Sequence, residues 1–178
     1  MKFILETKRL IIREITDDDF SALEKVISDP VNMKYYFKPF DKDGVWRWIN
    51  WCKDSYNQHG FGLWAVVDKN TGEMIGDCGI SMQYIDDDWK PEIGYHLRLD
   101  YHGQGIAKEM TQAVRDYFFT HYQFDEVYSY MDQDNIPSYK VAEANGMAFL
   151  HLYTTKYGEV CRVYRILRSE WENLIKNK

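Results

Sequence analysis

The chain has 178 residues, 45% of them hydrophobic and 28% charged, a balance that supports one folded domain (1–178) and argues against disorder. The net charge of −6 argues against nucleic acid as a partner, and no apolar run approaches the roughly 18–20 residues of a membrane span. The opening MKFILETKRL is charged too early for a signal peptide, and Cys52, Cys78 and Cys161 are odd in number and far apart; the expectations are a cytoplasmic chain without disulfides or a metal site.

Residues 8–15 (KRLIIREI) read as a strand. TDDDFSALEKVIS follows, with Thr16 at the N-cap, acidic residues in the first turn where the helix dipole favours them, and Phe20, Leu23 and Ile27 at helical spacing. The aromatic stretch MKYYFKPF reads as a loop or short helix. Residues 43–58 read as a helix carrying Trp48, Trp51, Cys52 and Ser55 on one side and Trp46 on another. FGLWAVVD and EMIGDCGISMQY are two strands joined at KNTG, whose glycine can take positive φ. DDDWKP marks a turn and PEIGYHLRL a further strand, with Cys78 a small buried thiol on the strand before it. Ile106, Met110, Ala113, Val114, Tyr117 and Phe118 then form the stripe of a helix lying on a sheet. DEVYSYM reads as a strand and IPSYKVAEA as a helix, capped by Asn135, with Pro137 in its first turn and Asn145-Gly146 as its stop. Strands near 147–155 and 159–167 precede a short polar helix. This order predicts an α/β (α+β) fold, about seven strands in a mixed sheet with helices on both faces.

The stretch YHGQGIAKEM, residues 101–110, sets Gly103 and Gly105 just before a helix. Glycines there let the main chain approach a ligand, and successive N–H groups backed by a helix dipole suit a phosphate. A dinucleotide fingerprint would need glycine where Lys108 stands, and a Walker loop would need a Gly-Lys-Ser/Thr ending; neither is present. What is left is a pyrophosphate site after a strand.

A second motif accompanies it. NIPSYKVAEANGM fits N-x-x-S-x-x-V-x-E-x-x-G-M, and EIGYHLRLDYHGQGIAKEM supplies a strand, a glycine turn and a helix. In this order and spacing they resemble the GNAT (general N-acetyltransferase) superfamily, and ETKRLIIREITDDDF is similar to the start of its ribosomal-protein branch. The resemblance covers nearly the whole chain. It implies a mostly antiparallel sheet with a splayed central strand pair, and acetyl-coenzyme A as co-substrate. It also implies acetyl transfer to a primary amine, either a protein N-terminus or a small molecule, by direct attack and without metal. By position, the cofactor would be held by Tyr95, His96, Leu97, Leu99, His102, Gly103, Gln104, Gly105, Ile106, Ala107, Asn135 and Ser138. The family usually has arginine or glutamine where this chain has His102, and often tyrosine where it has Ala142.

The chemistry needs a neutral amine, donors for the carbonyl oxygen and a proton for the leaving thiolate. The resemblance assigns the donors to main-chain amides from Tyr95 to Leu97 and the proton to Ser138, with Tyr139 a second choice; Ser138 is equally at home as a first-turn polar residue. Glu92 matches an acidic position of this branch and is the expected base; His96, on the same strand face, is the alternative. Asp86, Asp87 and Asp88 read as a solvated turn that could also attract an amine. The segments 35–40 and 46–51 correspond to the region that covers the acceptor. Lys108 and Lys140 lie beside the two cofactor-binding helix starts. A monomer or homodimer is expected. A non-catalytic acyl-coenzyme A sensor on the same fold is the alternative reading.

Overall fold

The computed structural model describes residues 2–176. In chain order the elements are β1 (Phe3–Glu6), β2 (Leu10–Arg13), α1 (Phe20–Ile27), α2 (Lys42–His59), β3 (Leu63–Asp68), β4 (Met74–Ile85) and β5 (Asp88–Leu97). They continue with α3 (Ile106–His121), β6 (Glu126–Asp132), α4 (Ile136–Ala144), β7 (Ala148–Thr154), β8 (Val160–Leu167) and α5 (Arg168–Lys176). Eight strands form one sheet in the order β1-β2-β3-β4-β5-β6-β8-β7. Every neighbouring pair is antiparallel except β5 and β6. The expected mixed sheet covered by helices on both faces is what the chain builds.

Both faces of the sheet's centre are covered, which is why β3 is buried at every position and reads as a continuous apolar run. On one face α3 lays Ile106, Met110, Val114 and Phe118 over Ile80, Ile93 and Leu97. On the other, α1 and α2 bring Leu23, Ile27, Val45, Ile49 and Cys52 against Leu63, Ala65 and Val67. The alternation along β5 therefore points Ile93, Tyr95 and Leu97 toward α3, and Glu92, Gly94 and His96 toward α2.

Three expectations are corrected. The strand expected over 8–15 is β2 at 10–13, and it is preceded by an unexpected partner, β1: Thr7 and Leu10 close a tight turn between them, the Thr7 N–H donating to the Leu10 carbonyl and the Leu10 N–H to the Thr7 hydroxyl. The turn after β4 is only Asp86 and Asp87, both at positive φ (54° and 61°), where a short polar side chain is tolerated. Tyr84 and Trp89 pack edge-to-face just behind it and extend the ladder to Asp88. Leu99 is not on a strand: β5 ends at Leu97, and Leu99–Tyr101 form a 3-10 turn leading to the glycines.

Candidate active site

β5 and β6 share a single paired position, Glu92 opposite Tyr128, and then diverge. The Ser129 hydroxyl donates to the Ile93 carbonyl at 3.2 Å, so the main chain of Ile93 faces β6. The Arg98 N–H donates to the Ile75 carbonyl on β4 at 2.8 Å. Alternation between these points turns the main chain of Tyr95 and Leu97 into the opening and that of His96 toward β4. The His96 N–H is committed there, donating to Asp77 Oδ1 at 2.9 Å, so the stretch of free amides expected from 95 to 97 is interrupted at its middle residue. His102 has a partner of its own, its Nε2 donating to the Leu97 carbonyl at 2.8 Å. Gly76 is required beside this strand, because a Cβ there would lie 2.2 Å from the His96 carbonyl oxygen.

At the outer end of the opening the chain turns through Gly103 and Gly105, at φ 74° and 75°, and Gly105 is the N-cap of α3. A Cβ at Gly103 would meet nothing within 4 Å, and one at Gly105 only the Arg9 guanidinium at 3.7 Å. The missing side chains therefore leave open space over the first-turn N–H groups of α3, donors that a helix cannot satisfy itself. Arg9, which the motif did not reveal, holds this turn from below: its Nη1 donates to the Gln104 carbonyl at 2.8 Å and its Nε to Glu109 at 2.7 Å. Burial pushes the Glu109 carboxyl up, but the Thr7 hydroxyl and the N–H groups of Arg9 outweigh it and hold the group below its ordinary range. The Gln104 amide caps the Asp100 carbonyl. With that carbonyl tied down and Glu109 neutralised, the turn fits a diphosphate.

The inner wall of the opening, on the α3 side, carries hydroxyls. Asn135 caps α4 by accepting from the Ser138 N–H at 3.3 Å, which fixes Ser138 in the first turn. The Tyr95 hydroxyl, on β5, lies 3.4 Å from Ser138 Oγ. Burial pushes Tyr95 up to about 12 against the bond to Ser138, so it stays protonated and donates. Ala142 lines a small cavity behind Tyr95, shared with Thr111, Ser129 and Asn145.

The opposite face is acidic and aromatic. Glu92 is buried, accepts from the Ser81 hydroxyl at 3.0 Å, and is raised to about 7 by burial, against the pull of Ser81, His96 and the Tyr130 N–H. Asp77, fully buried, accepts from Trp48 Nε1 at 2.9 Å and lies 2.8 Å from His96 Nδ1. His96 Nε2 in turn lies 2.7 Å from the Tyr36 hydroxyl, which hangs from the loop between α1 and α2. Tyr36 and Trp48 belong to the two segments expected to cover the acceptor, but sequence gives neither a partner, and Asp77 is not singled out by any motif. The one available signal was a charged residue between apolar neighbours in IGDCGI, at a position with no exposed face.

Other expected features fall elsewhere. Asp86 pairs with His151 on β7 at 2.9 Å, away from Glu92. Lys108 and Lys140 are exposed. All three cysteines are free and buried, and burial raises each thiol, Cys161 to about 11. Among the described residues no group of side chains could hold a metal ion, and no helix is long and apolar enough to cross a membrane.

This arrangement has counterparts. A family model described as an acetyltransferase (GNAT) domain matches residues 9–148. The protein YkkB of Bacillus subtilis is 36% identical, over 82% of this chain and 85% of its own. The N-acetyltransferase p20 of Bacillus licheniformis is 31% identical, over 94% of this chain and 97% of its own. Among solved structures, an acetyltransferase from Agrobacterium tumefaciens superposes with a TM-score of 0.80 at 27% identity, over 93% of this chain and 94% of its own. Two others share the fold at lower identity and were solved with coenzyme A. One is a ribosomal L7/L12 N-acetyltransferase, with a TM-score of 0.72 and 17% identity over 93% of this chain and 98% of its own. The other is an aminoglycoside acetyltransferase, with a TM-score of 0.77 and 14% identity over 92% and 98%. A split sheet, a glycine turn at its mouth and matches of this extent have one explanation: the chain is an acyltransferase and belongs to the GNAT family.

Proposed function

We propose that this enzyme transfers acetyl from acetyl-coenzyme A to a primary amine, which arrives as an ammonium, is deprotonated and then attacks directly across the gap between β5 and β6. The observation that carries the reading is the division of labour across that gap. Phosphate donors stand at its mouth, hydroxyls on the α4 side and acids on the α2 side. Each group in this scheme comes from the chain itself. The turn from Gly103 to Ala107 binds the diphosphate, and the main chain of Tyr95 and Leu97 lines the pantetheine path like an added strand. An amide in that stretch donates to the acetyl oxygen, where loss of one such donor typically costs about 3 kcal/mol. Tyr95 donates to Ser138, which leaves the serine proton free to meet the departing sulfur.

Glu92 accepts the proton that makes the amine nucleophilic, and its raised value of about 7 matches that task. Substrate class follows from charge. Asp77 and Glu92 are both buried, and neither forms an ion pair with a lysine or arginine among the described residues. Buried carboxylates without a cation favour an incoming ammonium. Trp48 and Tyr36 stand beside them, and aromatic faces also favour cations. The fold neighbours named for a ribosomal protein and for aminoglycosides supply the first acceptors to try, a peptide amine and an aminoglycoside.

The test is release of free coenzyme thiol from acetyl-coenzyme A in the presence of an alanine-initiated peptide, an aminoglycoside and an aliphatic diamine. Turnover with one of them is expected. Binding of acetyl-coenzyme A without turnover on any amine would favour a sensor instead.

A further inference from the structure

Resting on that reading, acetyl transfer to an ammonium has two protons to remove from nitrogen. The first leaves before attack. The second leaves once the N–C bond has formed, as the C–S bond breaks and the sulfur takes a proton from Ser138. Ser138 regains its proton from Tyr95, which is replenished from water, so of the two protons that nitrogen sheds one in net reaches water. Glu92 can accept only one proton per turnover without exchanging with solvent, and it is buried.

We propose that Tyr36, His96 and Asp77 form a second proton acceptor, separate from Glu92, that takes the proton shed by nitrogen as the amide forms. The donor inventory fixes the direction. Asp77 is surrounded by donors: Trp48 Nε1–H on Oδ2, and the His96 N–H on Oδ1. A carboxylate only accepts, so the third neighbour, His96 Nδ1 at 2.8 Å, carries a hydrogen and donates. His96 Nε2 is then bare and accepts from the Tyr36 hydroxyl at 2.7 Å. The Tyr36 oxygen keeps its lone pairs for the substrate side. Nitrogen passes its proton to Tyr36 as Tyr36 passes its own to His96, and Asp77 stabilises the imidazolium. Tyr36 lies on a loop and is 46% exposed as a residue, but its hydroxyl is buried against His96, so the proton passes to water once product has left and water enters the acceptor pocket.

The surroundings favour that charge. The groups acting on the Tyr36 hydroxyl are Glu92, Asp77, Tyr130 and Tyr95, and those near Asp77 include Cys52 and Tyr56. None is a cation. Tyr36 itself is pushed upward by burial of its hydroxyl, so it acts as a relay and never as a free phenolate. Tyr36 touches the reacting nitrogen, His96 stores the proton, and Asp77 and Trp48 position the ring.

The test uses Tyr36→Phe and Asp77→Asn in the full chain, with acetyl-coenzyme A and whichever amine of the panel the unaltered enzyme uses fastest. Both acceptors must be unprotonated to work, so kcat rises with pH, with a two-proton slope in the unaltered enzyme. Tyr36→Phe is expected to lower kcat about 100-fold, leave acetyl-coenzyme A affinity unchanged, and reduce that slope to one proton. In the enzyme without substrates, nitrogen-15 NMR should show His96 protonated at Nδ1 and bare at Nε2, with Asp77→Asn disturbing that tautomer. Asp77→Asn lies in the core; Tyr36→Phe, on a partly exposed loop, keeps the test independent of folding. A Tyr36→Phe enzyme within about threefold of normal kcat, with its two-proton slope retained, would overturn the relay while leaving acetyl transfer intact. An Nε2–H tautomer would overturn it too. An unaltered enzyme that acetylates none of the amines would overturn the parent reading together with this one.

Discussion

Glu92 shows how a single side chain can serve chemistry at the expense of stability. Its folded value of about 7 lies above the reference of 4.5, and burial is the cause. Between those values the folded state holds a proton that the unfolded state has lost, so stability is full below about pH 4.5 and falls as pH rises toward 7. The loss is up to about 3 kcal/mol above pH 7. Glu92→Gln removes the charge and keeps the shape. Urea unfolding should find the variant more stable than the parent at pH 8 and equal to it near pH 4, and its acetylation rate should fall about 100-fold. Equal stability at pH 8 would mean the carboxylate is not desolvated. Ser138→Ala is the matching experiment across the gap. Its turnover should drop about tenfold or more while acetyl-coenzyme A affinity is kept, because Tyr95 alone then faces the sulfur. An unchanged rate would leave the serine as part of the α4 start and nothing else.

At the level of elements, two helix ends matter. The N-terminus of α3 depends on a left-handed glycine with Arg9 beneath it. Gly105→Val combines backbone strain of roughly 1–2 kcal/mol with a branched side chain in the open space above the turn. Calorimetric titration should show acetyl-coenzyme A affinity weakened about 100-fold or more; retained affinity would remove the turn from the binding site. The C-terminal end of α3 is closed from α5, where the Arg168 guanidinium donates to the carbonyls of Phe119, Tyr122 and Phe124. Arg168→Ala strips three carbonyls of their partner and should lower unfolding stability by roughly 2 kcal/mol, with coenzyme affinity unaffected. A loss of coenzyme affinity in Arg168→Ala would show that the helix is not anchored independently at its two ends.

For the whole molecule, what was legible in the sequence was whatever is local. The glycine turn, the Asn135 cap and the stripe along α3 are each written within a few consecutive residues, and each specifies its own geometry. The short edge strand β1 was not legible, since FILE has no alternation long enough to separate it from the strand that follows. The turn at Asp86 and Asp87 is shorter than its sequence implies, because acidic residues look like loop until their cross-strand partners are known. Least legible was the acidic wall. Tyr36, Trp48, Asp77 and His96 come from a loop, a helix and two strands, and only the register that sets Asp77 opposite His96 brings them together.

All of this turns on where the coenzyme lies, and a crystal structure of the complex with coenzyme A measures that directly. The expected result has the diphosphate on main-chain nitrogens between Gly103 and Ala107, and the sulfur within about 3.5 Å of Ser138 Oγ. A coenzyme bound elsewhere, with the gap between β5 and β6 left empty, would contradict it.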